Sequence, residues 1–199
     1  IAVLIILGTL AVHVAGNKAA GFVNEMADRQ TVLQGKLQIG HFSASVSGNV
    51  VFENVVWTAP DGKKLAEVPE MNVSANLFDI IKGSFGINSI NSISIEKPQF
   101  AVNYTDKDGL DIINYINFSD KDDETPTEFR GMVEITDGAL ALDMNGQKLD
   151  FSNVEMQANL KEFPDIKFTL QGKNGDADLI GSIDKVYDDV TIGAEGKNL

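Results

Sequence analysis

From Leu37 onward the apolar residues recur at every second position, and nothing else in the chain limits its fold so tightly. Leu37 and Ile39, Ala44 and Val46, then Met71, Val73, Ala75 and Leu77, Ile93 and Ile95, and Phe100, Val102 and Tyr104 alternate with polar or small residues. Successive side chains of a strand point to opposite faces, so this period specifies half-buried β-structure with one apolar and one polar face. Past Glu128 the alternation sharpens, through Val133 and Ile135; Leu140, Leu142 and Met144; Val154, Met156 and Ala158; Ile166, Phe168 and Leu170; Leu179, Gly181 and Ile183; Val190 and Ile192. Asp61-Gly62, Asp137-Gly138, Asn145-Gly146 and Asn174-Gly175 supply the positive-φ chemistry of tight hairpins. The expected fold is mainly β, an elongated antiparallel meander.

Two apolar runs interrupt the alternation. Residues 77–83 (LFDIIKG) predict a short helix stopped by Gly83, and residues 111–117 (DIINYIN) a second. Residues 119–127 (SDKDDETPT) have no apolar period and form a solvated acidic loop. Residues 48–77 and 131–160 align end to end without a gap, each with a central turn, a nearby Lys-Leu and a terminal Ala-Asn-Leu. Repetition of a supersecondary unit marks a stacked architecture that lengthens by adding copies.

Residues 1–16 (IAVLIILGTLAVHVAG) carry no formal charge, and their polar groups are Thr9 and His13. A helix over them would rise about 24 Å, against a hydrocarbon core of about 30 Å. The expectation is a truncated transmembrane anchor; a signal peptide cleaved after Val14-Ala15-Gly16 and a buried helix are the rivals. His13 lies near the end of the expected span, where a side chain can reach the interface. Residues 17–36 are expected to form a linking amphipathic helix, with Phe22, Val23, Met26, Val32 and Leu33 at spacings compatible with one face. The organisation read from this is an anchor over 1–16, the linking helix over 17–36, β-domain over 37–118, acidic loop over 119–128 and further β-repeats over 129–199.

Covalent chemistry has few candidates. The 16 Lys+Arg against 29 Asp+Glu give a net charge of −13, which repels phosphate backbones and argues against a nucleic-acid partner. The absence of Cys removes disulfides, thiolate metal sites and Cys nucleophiles. The two His, His13 and His41, make neither a metal site nor a triad, and no phosphate-binding glycine fingerprint or nucleophile elbow is present. Asp106-x-Asp108-Gly109 lacks the later ligands of a calcium loop and reads as a turn. Asp176-x-Asp178 sits at a strand start, and Trp57 reads as core or as an interface anchor. The chain is expected to be no enzyme and to need no cofactor or metal.

Residues 68–116 run through a strand, a Leu-rich helix ending at Gly83, a strand closing on Pro98, and an extended segment leading through Asp108-Gly109 into a short helix at Ile112-Ile113. That succession behind an anchor resembles the amino-terminal region of the AsmA-like superfamily, and within it the TamB branch, the translocation and assembly module subunits. The remainder is similar by general β character. One departure is Leu110-Asp111-Ile112, where the family often has Asn-Leu after Asp-Gly. The resemblance implies the membrane-proximal fragment of a longer protein, single-pass in a bacterial inner membrane, with a periplasmic sheet curled into an open hydrophobic groove, a β-taco. It implies conduction of phospholipids toward the outer membrane, with an outer-membrane barrel protein as partner of the missing carboxy-terminal part.

The alternation itself nominates the groove lining: Val133, Ile135, Leu140, Leu142, Met144, Val154, Met156, Ile166, Phe168, Leu170, Leu179, Ile183, Val190 and Ile192. The same pattern would fill the interior of a closed sandwich. Three functions fit the sequence: a lipid-conducting groove, a scaffold that assists outer-membrane protein assembly by pairing its sheet edge with a partner strand, and an exported enzyme or adhesin built on a closed sandwich.

Overall fold

Strands with one apolar face need neighbours on both edges and a cover on that face, and the chain meets the first need with a single sheet. A computed structural model describes residues 28, 33–45, 47–76, 78–79, 87–116, 129–162, 165–186 and 189–197. The strands are β1 (Lys36–Ala44), β2 (Asn49–Thr58), β3 (Lys64–Ala75), β4 (Ile90–Glu96), β5 (Gln99–Thr105), β6 (Gly109–Leu110), β7 (Met132–Met144), β8 (Gln147–Asn159), β9 (Ile166–Asn174), β10 (Ala177–Val186) and β11 (Asp189–Lys197). A four-residue helix, α1 (Asp111–Asn114), follows β6, so the helix expected over 111–117 is present in shortened form. Phe78 and Asp79 are helical; the rest of the helix expected over 77–83, the anchor and the acidic loop lie outside the described residues. Of the linking helix expected over 17–36, Asp28 is helical, whereas Leu33 forms an isolated bridge with Ile116 and Lys36 already opens β1. Among the described residues no helix is long and apolar enough to cross a membrane.

The meander is not antiparallel throughout. Strand order is β1-β2-β3-β4-β7-β8-β9-β10-β11, and β5 also pairs with β3 and β7. β4 and β5 occupy one lane and lie parallel to β7 in one register, with Ser92 facing Met132 and Tyr104 facing Met144, the same 40-residue offset. Parallel neighbours require a crossover. Here it runs from β5 through β6 and α1 to β7, placing Ile112, Tyr115, Ile116 and Phe129 against the core.

A crease crosses the strands from β1 to β8. Asn54 in β2, Lys97 between β4 and β5, Asp137 in β7 and Asn153 in β8 all have positive φ, between 47° and 54°. Gly40 in β1 lies opposite Asn54, and a Cβ on it would sit 2.9 Å from the Asn54 Cβ. Pro69 in β3 continues the line between the paired Val68 and Glu70. Each irregularity inserts one residue and reverses the alternation. The apolar face therefore reads Val50 and Phe52, then Val55 and Trp57 in β2; Val133 and Ile135, then Leu140 and Leu142 in β7; Leu149 and Phe151, then Val154 and Met156 in β8. Asp137-Gly138, expected as a hairpin turn, is this bulge inside β7. Asn145-Gly146 and Asn174-Gly175 do join hairpins, and Asp61-Gly62 lies in the β2–β3 connection. Aligning 48–77 with 131–160 sets Asn54 on Asp137 and Phe52 on Ile135, so the first strands of the two hairpins share the crease.

Because directly paired residues share a face, the apolar side chains line up in rows across the strands. One row runs Phe42, Phe52, Met71, Ile95, Ile135, Met156, Leu170, Gly181; the next runs Val50, Val73, Ile93, Val133, Ala158, Phe168, Ile183, Ile192. The Phe42 and Phe52 rings meet at 5.3 Å between centroids. Polar residues line the opposite face, where Glu53, Glu70 and Glu96 stand directly abreast.

The core is deepest under β2, β3, β4 and the first half of β7, where Phe52, Leu65, Met71, Ile90, Ile93 and Val133 are buried. Its corner is clipped by Gln34. The Trp57 Nε1–H donates to the Gln34 carbonyl (3.0 Å), the Gln34 amide to the Tyr115 carbonyl (2.8 Å) and its side-chain Nε2 to the Asn114 carbonyl (3.2 Å). Trp57 is thus a core residue with its one polar atom satisfied. Asp111 ties α1 down: one carboxylate oxygen meets Lys63 Nζ at 2.6 Å and the other accepts the Asn103 amide at 2.8 Å. The Tyr115 phenol is raised above its ordinary pKa, mainly by burial and then by the charges of Asp61 and Asp111.

Candidate functional site

The crossover covers the apolar face at the β1–β5 end, and the face opens beyond it. Val133, Ile135 and Val154 are buried; Leu140, Leu142, Met156, Ile166, Phe168 and Leu179 are half-buried; Met144, Leu170, Ile183, Val190 and Ile192 are exposed. Exposure climbs along the stacking direction, from 1% at Val133 to 75% at Ile192 in the same row.

A groove of about 440 Å³ occupies this open part, lined by Leu140, Leu142, Phe151, Val154, Leu170, Gly172, Leu179, Gly181 and Gly196, with Gln171, Ile180 and Glu195 at its margin. Its size falls among those of small-molecule sites. The hollow comes from missing side chains. Leu179 pairs with Gly172 on one side and Gly196 on the other, and Leu170 pairs with Gly181, so each leucine is flanked by a glycine. A Cβ on Gly181 would meet nothing nearer than the Leu170 carbonyl at 3.9 Å, and one on Gly172 would touch Val154 at 3.5 Å.

Five of the residues nominated from sequence therefore share the groove: Leu140, Leu142, Val154, Leu170 and Leu179. Met144, Met156, Ile166, Phe168, Ile183, Val190 and Ile192 lie on the same sheet face outside it, and Val133 and Ile135 belong to the packed core. Sequence reasoning missed Phe151 and the glycines Gly172 and Gly196. Phe151 is out of phase with Val154, and only the positive φ of Asn153 restores it to the same face. The Leu149-x-Phe151 alternation before Asn153 carried that signal.

A smaller hollow of about 240 Å³ is also apolar for the most part, with Leu65, Phe100, Ala139, Leu140 and Phe151 in its lining. Another of about 560 Å³ on the opposite face is lined largely by serines and asparagines, among them Ser43, Asn72, Ser74 and Ser92. Among the described residues no cluster of His, Asp and Glu could hold a metal ion. Apart from Gln171 and Glu195 the groove is lined by aliphatic, aromatic and glycine residues, and such a surface shelters hydrocarbon. Compared with known proteins, the chain matches no protein family, no curated protein and no solved structure.

Proposed function

We propose that the chain conducts phospholipids, holding acyl chains against the apolar face of its sheet while headgroups stay in water. The observation that carries this reading is the pair of apolar rows that cross the sheet and grow more exposed toward β11. Contiguous apolar surface of this kind is retained where it meets a ligand or partner. In this reading the body stands in the periplasm on an inner-membrane anchor formed by residues 1–16 and passes lipid toward the outer membrane, as the AsmA-like and TamB resemblance implies. The polar, acidic opposite face keeps such a sheet soluble.

A photo-crosslinking residue at position 142 or 168 tests it. Phospholipid adducts are expected from both; none at either, under conditions where a known lipid carrier yields them, refutes the proposal. The exposed Val190 and Ile192 on the terminal strand β11 favour a second reading, a scaffold that pairs its edge with a partner strand during outer-membrane protein assembly. Leu142→Asp separates the two, because it places a charge in the groove and leaves the β11 edge intact. Lipid transfer is expected to be lost in that variant, with any partner binding at the edge retained.

A further inference from the structure

On the apolar face of β7 to β11, Lys185 stands out. Reading the paired positions across these strands, the face carries aliphatic, aromatic and small residues with Gln147 and Asn174 at one rim, and its formally charged residue is Lys185. Lys185 pairs with Ile166 of β9 and Val190 of β11, one row beyond Phe168, Ile183 and Ile192. It is half-buried, whereas its neighbours Asp184 and Val186 are exposed. Among the described residues it has no ion-pair partner, although the chain carries an excess of acid. The groove proper begins at Gly181 and Leu179, so Lys185 lies about 20 Å along the strand from its far leucine. An ammonium at the rim of an apolar trough keeps its head in water and its stem on hydrocarbon.

We propose that Lys185 selects the head of the ligand: the groove takes an anionic amphiphile, its tail across Ile183 and Leu170 and its carboxylate or phosphate on the Lys185 ammonium. The proposal rests on the groove holding acyl chains and adds which lipids it prefers. With the body carrying a net negative charge, an anionic head is fixed where this one cation of β7 to β11 faces the apolar side.

The test compares a dansylated fatty acid with its uncharged methyl ester on the full chain. The free acid is expected to bind about tenfold tighter than the ester, the size of one charge-assisted contact. Lys185→Met should bring the acid down to the ester and leave the ester unchanged; Lys185→Arg should keep the preference. Excess inorganic phosphate should not displace the acid, since the head alone has no tail to anchor it, and displacement would overturn the proposal. Equal binding of acid and ester by the native chain, or a preference that survives Lys185→Met, also overturns it while leaving the groove intact. Failure of both probes to bind removes the groove reading, and this one with it; loss of both on Leu170→Asp shows that the probes occupy the groove.

Discussion

Phe52 and Ile192 belong to adjacent apolar rows of one sheet face, yet Phe52 is fully enclosed and Ile192 is 75% exposed. Truncating Phe52 to Ala removes a ring packed on Phe42 and leaves a cavity, and about 3–5 kcal/mol of stability should be lost. Ile192→Ala should change stability by less than about 0.5 kcal/mol. Urea titration of the two variants checks the contrast, and a large loss at Ile192 would mean that this end of the face is covered. Period alone places both residues on the apolar face, because it reports which side a residue faces and not whether anything lies over it. The same limit explains the groove. Leu140, Leu142, Leu170 and Leu179 were legible as apolar-face residues, whereas the glycines that hollow the surface between them carry no hydrophobic signal.

At the scale of the element, β2, β7 and β8 each cross the crease on one residue with positive φ. Asp137 has φ +53°, which a β-branched side chain tolerates poorly. Asp137→Val should cost about 1–2 kcal/mol, and Asp137→Gly should be neutral or slightly stabilising. Chemical denaturation of both variants tests the assignment; equal stabilities would show that the bulge is not held by its local conformation. Asp-Gly was legible as a site of positive φ, and so a turn was the natural expectation. The local chemistry of a hairpin and of a bulge is the same at that dipeptide. What distinguishes them is the partner strand, since Gly138 faces Val154 within a continuing ladder. The parallel pairing of β4 and β5 with β7 was hidden for a similar reason, being fixed by contacts far apart in sequence.

Across the whole molecule, enclosure falls from the crossover end toward β11. Amide hydrogen exchange should follow it, slowest in β2, β3 and β4 and fastest in β10 and β11. Uniform protection from β1 to β11 would contradict a graded core. The β architecture was readable in outline, as one apolar face and many hairpins, because alternation and turn chemistry are local. The crease in β2 and β7 has a further consequence for how such a sheet could change length. Each of the two strands carries its own inserted residue with positive φ, Asn54 in β2 and Asp137 in β7. A hairpin that carries its own phase correction can be added to such a sheet without turning the inside residues of its neighbours outward.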